Sequence, residues 1–275
     1  MNRKLVFVLS LFILLSSLMY VRFNAVEVKA PNGYPVHNID TGFNYATIQA
    51  AIDALETLDG HTILADAEVY YEHVVIQKSI RLIGENSENT VIDGEGTETV
   101  VEVSVDNVVV ANFTIINGGW RWFHSGVYLN NCTNTEIRNN VITSNPNGIY
   151  LFCSSDNSLV GNNITNNNKR CGICLDESPN NCITGNNVTN NNSGICFSKS
   201  SNNTLKRNSM IGNHGNLVLY GEIPADFVND VDNSNTLNQK PIYNWVNRQD
   251  AEVPSDAGYL ALINFTQITG SNASP

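Results

Sequence analysis

The fold is decided by residues 148–171, which read GIYLFCSSDNSLVGNNITNNNKRC. A glycine opens a short apolar phrase, and two further apolar runs follow, separated by Asn, Ser and Gly. Successive side chains of a β-strand point to opposite faces, so Ile149 and Leu151 share one face and Tyr150 takes the other. Runs this short, broken by turn residues about every seven positions, do not fit an α-helix of period 3.6. The segment therefore predicts three short strands joined by tight turns.

The same unit occurs four times in register along the chain. Its opening glycine recurs at intervals of 22, 24 and 22 residues, at Gly126, Gly148, Gly172 and Gly194. Ile or Leu follows eleven residues after each glycine, Asn fourteen after it, and Ile, Val or Met sixteen after it. A period of this length is the signature of a solenoid, in which each unit buries its apolar face against the next. We therefore predict an all-β protein, a right-handed single-stranded parallel β-helix with three short strands and about 22 residues per rung.

Asparagine accounts for 43 of the 275 residues. Like positions of neighbouring rungs lie about 4.8 Å apart, which is the spacing of adjacent strands. At that distance a side-chain amide at an inward bend can hydrogen-bond to the Asn above and below it. We predict a structural ladder formed by Asn140, Asn162, Asn186 and Asn208. The abundance of Asn then has a structural reason that requires no catalytic role.

Four segments are predicted along the chain. Residues 1–30 combine a basic start, an apolar run and a small-x-small end, which predicts a cleaved signal peptide, with an N-terminal anchor as the alternative. Residues 31–216 are predicted to form the β-helix, with an amphipathic helix near residues 46–56 that caps its first rung. Residues 217–257 are interpreted as an excursion, and residues 258–275 as a return to the coil that stops within a rung. A partner or a missing segment is expected to cover that last rung.

The charge balance excludes one large class of partners. The chain has 15 Lys and Arg against 26 Asp and Glu, a formal net charge of -11, whereas nucleic-acid binding needs a basic surface. The signal segment predicts an extracellular or cell-surface protein, and apart from it no apolar run is long enough to span a membrane. Acceptor motifs for N-glycosylation begin at Asn112, Asn131, Asn163, Asn187, Asn191, Asn202, Asn264 and Asn272.

The segment before the four units resembles a known family. It contains Ala46-Thr-Ile-Gln-Ala-Ala-Ile-Asp53, Tyr70-Tyr-Glu72, Ile80-Arg-Leu-Ile-Gly84 and Val91-Ile-Asp-Gly94. Together with the Gly-Ile-Tyr-Leu repeat, these phrases resemble the NosD-like proteins, microbial extracytoplasmic proteins built from parallel β-helix repeats within the pectin-lyase-like superfamily. The resemblance covers about residues 43–275 and implies a surface protein of this fold from an archaeon. It implies a fold rather than a chemistry, because the repeat consists of packing residues.

Catalysis is one function that the resemblance raises. Hydrolases of the superfamily carry Asn-Thr-Asp, Asp-Asp, Gly-His-Gly and Arg-x-Lys motifs on one face, and a lyase needs acidic calcium ligands and a group that takes the proton. The chain has Asn134-Thr-Glu136 and Asn213-His-Gly215 but no adjacent pair of Asp residues. We therefore assign no catalytic residue, and a polysaccharide lyase or hydrolase stays an alternative to a protein without catalysis.

Copper is raised by the same resemblance, because NosD-like proteins are associated with copper supply to nitrous oxide reductase. Copper sites need clustered thiolate, thioether or imidazole ligands, but the five His residues are scattered and only three Met residues occur. We assign no metal or other cofactor, with calcium on the acidic flanks as the alternative. Cys174 and Cys196 share one rung position and should stack one strand spacing apart. Free thiols, a disulfide between these two residues and a metal site are the three interpretations.

Aromatic side chains provide the candidate binding site. Tyr128 and Tyr150 share one outward rung position, and Trp120 and Trp122 lie in the loop just before the first unit. Such rows suit sugar rings through stacking, while the simpler interpretation is that they only stabilise the outer face. We predict a non-catalytic surface protein that binds a polysaccharide or another envelope component. A lyase or hydrolase and a copper-handling protein are the alternatives.

Overall fold

The short apolar phrases form strands, and every third strand lies in the same sheet. The computed structural model describes residues 33–264 and 266–270. Within them, strands of successive rungs pair in parallel and in register, for example Ile137 with Leu159 and Ile183 with Leu205. The predicted class is confirmed, a parallel β-helix with about 22 residues per rung. The predicted signal segment, residues 1–30, lies outside the described residues.

The elements follow one another in a regular order. The first rungs contain β1 (Val36–Asn38), β2 (Asn44–Tyr45), α1 (Ile48–Asp53), β3 (Thr62–Ala65), β4 (Val69–Tyr71), β5 (Val74–Ile76), β6 (Arg81–Gly84), β7 (Val91–Asp93), β8 (Val101–Val103), β9 (Val109–Ala111) and β10 (Thr114–Ile116). The four repeated units contain β11 (Ser125–Asn130), β12 (Glu136–Arg138), β13 (Val141–Thr143), β14 (Asn147–Phe152), β15 (Ser158–Val160), β16 (Asn163–Thr165), β17 (Cys171–Asp176), β18 (Cys182–Thr184), β19 (Asn187–Thr189), β20 (Ser193–Ser198), β21 (Thr204–Lys206) and β22 (Ser209–Ile211). The last part contains β23 (Gly215–Tyr220), a 3-10 turn (Pro224–Phe227), β24 (Asp230–Val231), β25 (Thr236–Leu237), β26 (Lys240–Val246), β27 (Gln249–Val253), β28 (Tyr259–Ile263) and β29 (Thr266–Gly270).

Three sheets form the sides of the coil in the described part of the chain. The first sheet has ten strands, in the order β2-β1-β3-β6-β9-β12-β15-β18-β21-β24. The second sheet also has ten, in the order β28-β26-β25-β22-β19-β16-β13-β10-β7-β4. The third sheet has seven, in the order β23-β20-β17-β14-β11-β8-β5. Inward side chains at like positions stack along the axis, and those of Ile137, Leu159, Ile183 and Leu205 are all 0% exposed.

Buried Asn side chains hold the bends between the sheets. Asn186 is typical: its Oδ1 accepts the backbone N–H of Asn162 at 2.9 Å and the side-chain amide of Asn162 at 3.0 Å. Its own amide donates to the Leu159 carbonyl at 2.8 Å and to Asn208 Oδ1 at 3.0 Å. The same pattern links Asn140, Asn162, Asn186, Asn208 and Asn235. Each rung therefore supplies hydrogen-bond partners to the bend of its neighbour.

Two further Asn ladders occur that the sequence analysis did not single out. One contains Asn145, Asn167, Asn191 and Asn213, and the other contains Asn157, Asn181, Asn203 and Asn229. The sequence contains a signal for the first of these two ladders, since Asn also recurs nineteen residues after each opening glycine.

One predicted glycosylation acceptor, Asn191, belongs to that ladder. Its side chain is only 3% exposed, which makes it inaccessible for glycosylation in the folded protein.

The N-terminal helix lies inside the predicted range and is shorter than it. Helix α1 begins after Thr47, whose Oγ1 accepts the backbone N–H of Ala50 at 3.0 Å. The carboxylate of Glu72 accepts the first free backbone N–H groups, those of Ile48 and Gln49, at 2.9 Å each. The apolar side of α1 is buried and packs against β1, β3 and β5. No helix in the described part of the chain has the length and apolarity needed to cross a membrane.

The coil continues further than the sequence analysis predicts. Residues 217–257 were expected to form an excursion, but β23 pairs with β20 from Gly215 to Tyr220, and β24 and β25 pair with β21 and β22. These strands complete one more rung. The Gly-Asn-Leu-Val-Leu phrase at residues 215–219 has the alternation of the earlier units, although its two following strands lie at longer spacings.

The chain reverses after this rung. Asn238 and Gln239 both have left-handed backbones, with φ of 47° and 69°, which permits a tight hairpin turn. Strand β26 therefore pairs antiparallel with β25, and β28 lies parallel beside β26. Strand β28 thus runs against the strands of the coil, and β29 pairs in parallel with β27 in a separate two-stranded sheet, whereas residues 258–275 were expected to rejoin the coil. Residues 271–275 lie outside the described part.

Candidate functional site

The outer face of the third sheet carries one row of side chains from successive rungs. The register places Glu102, Tyr128, Tyr150, Cys174 and Cys196 next to one another in this order. Their neighbours along each strand point inward, as Val127 and Leu129 do at 0% exposure. We call these five residues the outward row. It contains both predicted tyrosines and both predicted stacked cysteines.

Four aromatic rings meet on this face and form what we call the aromatic patch: Trp122, Phe123, Tyr128 and Tyr150. The rings of Tyr128 and Tyr150 are stacked, with centroids 5.4 Å apart and an interplanar angle of 12°. Trp122 meets Tyr150 edge-on at 6.2 Å and Phe123 at 5.4 Å. The structure therefore brings together three of the four predicted binding residues.

The four predicted residues differ in accessibility. Trp122 is 57% exposed, whereas Tyr150 is only 4% exposed. Of the two predicted tyrosines, Tyr150 is therefore covered, and Trp122 and Tyr128 form the accessible part of the aromatic patch. Trp120 is 74% exposed and has no ring contact within the described residues.

The loop at residues 117–124 is held against the sheet by specific contacts. The side-chain amide of Asn147 donates to the carbonyls of Trp122 and His124 at 3.1 and 3.0 Å. The backbone N–H of Gly119 donates to the Glu98 carbonyl at 2.6 Å. A Cβ atom at Gly119 would lie 2.3 Å from both His124 Nδ1 and the Thr97 carbonyl oxygen, so only glycine fits here. These contacts fix Trp122 over the sheet.

The two tyrosines act as hydroxyl donors. Burial, followed by the charge of Glu102, raises the pKa of Tyr128 to about 12. Burial and the neighbouring Asp176 also raise the pKa of Tyr150, whose hydroxyl donates to Asp176 Oδ2 at 3.1 Å. Both hydroxyls therefore stay protonated at neutral pH. The Tyr150 hydroxyl proton is already bonded to Asp176, so only Tyr128 has a hydroxyl left to donate to a ligand, and neither tyrosine provides a base.

A cleft of about 240 Å³ adjoins the aromatic patch. We call it the polar cleft, and its lining includes His73, Thr97, Glu98, Thr99, Glu102, Arg121, Phe123 and His124. Phe123 belongs to both features, since it contacts Trp122 and lines the cleft. No repeat in the sequence predicts this cleft, because its residues come from three rungs before the four regular units. The only local signal was the position of Arg121 and His124 beside Trp122.

Histidines occupy fixed positions in the polar cleft. His73 Nδ1 lies 2.9 Å from the Thr99 carbonyl, and its Nε2 lies 2.7 Å from Thr97 Oγ1. His124 is 5% exposed. Burial, assisted by the positive charge of Arg121, lowers the pKa of His124, so this imidazole is neutral at pH 7. The buried Nδ1 of His124 and the buried Oγ1 of Thr99 have no hydrogen-bond partner among the described residues.

The outward row continues into a cluster of thiols. All six cysteines are free in the structure, so the disulfide between Cys174 and Cys196 that the sequence left open is not formed, although the two are register partners. A third cysteine joins them, because the sulfur of Cys171 lies beside both thiols and interacts with them. These interactions lower the pKa of Cys171 and, with burial, raise the pKa values of Cys174 and Cys196.

We expect Cys171 to be the thiol that reacts first with iodoacetamide at pH 6. A lowered pKa leaves it as a thiolate at a pH where an ordinary thiol is protonated, and the thiolate is the nucleophile. Peptide mass spectrometry after brief labelling measures the order of modification. In the urea-unfolded chain at the same pH, the preference should disappear. Equal labelling of Cys171 in the folded and unfolded chains would contradict the assignment.

By fold, the described part of the chain is a parallel β-helix whose lateral sheets are built from the strands of successive rungs. Residues 56–251, more than two thirds of the chain, match the family model "Periplasmic copper-binding protein (NosD)". The chain therefore belongs to the NosD family.

Similarity to individual proteins is partial. Over 108 residues, 39% of this chain, it is 32% identical to a cell surface glycoprotein of Methanothermus fervidus, and the match spans 17% of that protein. A pectin methylesterase from Yersinia enterocolitica has a TM-score of 0.47 and 11% identity, with 79% of this chain and 94% of that chain covered. A periplasmic alginate epimerase has a TM-score of 0.41 and 18% identity, with 70% and 47% covered. Neither of these two structural similarities bears on activity.

The family description raises the question of copper. Copper sites in proteins need clustered thiolate, thioether or imidazole ligands. Among the described residues, no group of three or more His, Cys, Asp or Glu side chains could hold a metal ion. The residues present therefore do not fit a copper site, and we assign no chemistry to copper.

Proposed function

We propose that the protein is a non-catalytic β-helix protein of the cell envelope that binds carbohydrate on the third sheet. Its place outside the cytoplasm is supported by the predicted signal segment, by the family description as periplasmic and by the cell-surface name of the relative from Methanothermus fervidus. The net charge of -11 supports a partner other than nucleic acid.

The observation that carries this proposal is the aromatic patch. Trp122 is 57% exposed and is fixed against the stacked pair of Tyr128 and Tyr150. A fixed aromatic surface stacks against the apolar face of a sugar ring with little loss of side-chain entropy. Glu102 and Phe123 continue the surface into the polar cleft, where hydroxyl groups can be bound. Apolar and polar contacts therefore lie side by side, as in ligand sites generally.

A glycan array tests the proposal. The chain from residue 31 onwards is applied with and without calcium, and both bound protein and new reducing or unsaturated sugar ends are scored. We expect binding without cleavage. The appearance of new sugar ends would instead identify a lyase or hydrolase, and the absence of binding would contradict the proposed function.

Replacing Trp122 with Ala should weaken glycan binding at least about tenfold, or about 1.4 kcal/mol. Because the Trp122 ring is more than half exposed, its removal should change the free energy of unfolding little, and calorimetric titration measures the loss of binding. The control is Tyr71→Ala, which removes a tyrosine that is 64% exposed on β4 in the second sheet. Trp120→Ala is a second control within the same loop: its ring makes no contact with the aromatic patch, so its loss should weaken binding less than the loss of Trp122. Equal losses in all three variants would refute a site at the aromatic patch.

A further inference from the structure

We infer that the polar cleft is a subsite for the hydroxyl groups of an uncharged sugar, and that it discriminates against uronic acids. This inference rests on the proposed function and adds the substrate class. It depends on three observations: unpaired charged groups that line the cleft, two buried polar atoms without partners, and the sum of the charges.

Three charged side chains of the cleft are unpaired. Glu98, Glu102 and Arg121 make no side-chain hydrogen bond or ion pair within the described residues. Arg121 therefore has its donor groups free, and the two carboxylates have their acceptor oxygens free. Vicinal hydroxyl groups of a sugar can accept from a guanidinium and donate to a carboxylate at the same time. The unpaired side chains thus match the chemistry of a diol.

Two buried polar atoms at the same cleft also lack partners. Thr99 is 8% exposed and His124 is 5% exposed, yet Thr99 Oγ1 and His124 Nδ1 have no hydrogen bond in the described structure. Such atoms cost about 1–3 kcal/mol each when they stay unpaired, so native proteins rarely contain them. Only four such atoms occur among the described residues, and two of them belong to residues that line this cleft. Both atoms are covered by protein, and His124 Nδ1 lies against the Gly119 backbone, so a sugar hydroxyl reaches them only if this cover moves aside.

The charges of the polar cleft disfavour a ligand that carries a carboxylate. The lining of the cleft contains two carboxylates and one guanidinium, and His124 is neutral at pH 7 because burial lowers its pKa. Glu102 is the direct register neighbour of Tyr128, so its charge lies at the edge of the aromatic surface. A uronate ring stacked there would bring its negative charge close to Glu102, in a protein that is already strongly acidic. A neutral ring meets no such repulsion.

Calorimetric titration with matched hexasaccharides tests the inference. Cellohexaose and mannohexaose serve as neutral probes, and hexagalacturonate and hexamannuronate as acidic ones. We expect the best neutral probe to bind at least about tenfold more tightly than either uronate at low salt. The difference should decrease at about 0.5 M salt, because exposed charges are then screened. Tighter binding of a uronate, when it is lost in Trp122→Ala, would overturn the inference while the proposed function stands.

The Glu102→Gln variant identifies the group responsible. Loss of the charge should improve uronate binding by about threefold or more, and should weaken neutral binding because an anionic acceptor becomes a neutral one. The matched control is Glu88→Gln, an exposed carboxylate away from the cleft. No change in Glu102→Gln, or the same change in Glu88→Gln, would refute the role of the polar cleft. Absence of binding to all four probes would contradict the proposed function itself.

Discussion

Ile183→Asp is expected to destabilise the coil by on the order of 3–8 kcal/mol. The loss of the buried Ile side chain accounts for about 2–5 kcal/mol of this, and the burial of a polar group without a partner for about 1–3 kcal/mol. Ile183 is 0% exposed and lies between Leu159 and Leu205 in the inward stack. Domains of this size are stable by only about 5–15 kcal/mol. Thermal and urea unfolding followed by circular dichroism measure the effect.

The neighbouring outward position supplies the control. Thr184→Asp adds the same charge to the same strand, at a half-buried position between Val160 and Lys206. We expect a change within about 0.5 kcal/mol, which is usual for surface substitutions. If Ile183→Asp unfolded at the same urea concentration as Thr184→Asp, the assignment of Ile183 to the interior of the coil would be wrong.

Asn186→Ala is expected to cost roughly 2–6 kcal/mol of the free energy of unfolding. The backbone N–H of Asn162 and the carbonyl of Leu159 both lose the partner that the Asn186 side chain supplies. Each unsatisfied buried backbone group costs about 1–3 kcal/mol. The expected effect is therefore larger than that of an ordinary Asn substitution, and urea unfolding measures it.

An exposed Asn provides the comparison for this variant. The side chain of Asn192 is exposed and makes no hydrogen bond in the described structure. Asn192→Ala should leave the urea midpoint nearly unchanged. Similar midpoints for the two variants would mean that the ladder contributes little to stability.

The coil could be predicted from sequence because its determinants repeat. Four units place glycine, apolar residues and Asn at the same offsets, so each unit supports the interpretation of the others. The structure confirms the fold class that follows. The repeat also contained the second Asn ladder, at the offset of Asn145 and Asn167, but only the first was singled out. The rung from Gly215 onwards was not recognised because its later strands are spaced more widely.

The candidate site was harder to predict because it lies where the repeat ends. Tyr128 and Tyr150 were placed correctly in one outward row by periodicity. Their burial depends on the loop at residues 117–124, whose path is fixed by Asn147 and by the close approach at Gly119. The polar cleft joins His73, Glu102 and Arg121, which are far apart in sequence and have no common period. Contacts of this kind follow from tertiary structure, and a single sequence does not show them.

The Asn ladders have a consequence for how such proteins diverge. Every regular rung offers its neighbour the same bend and the same hydrogen-bond partners, so one rung can be stacked on any other. Duplication or deletion of a whole unit of 22 or 24 residues would therefore change the length of the molecule in steps of about 4.8 Å without creating an unsatisfied group inside it. The aromatic patch and the polar cleft depend on an irregular loop and would be inherited unchanged. In such a protein, the length of the coil and the chemistry of the ligand site can therefore change independently during evolution.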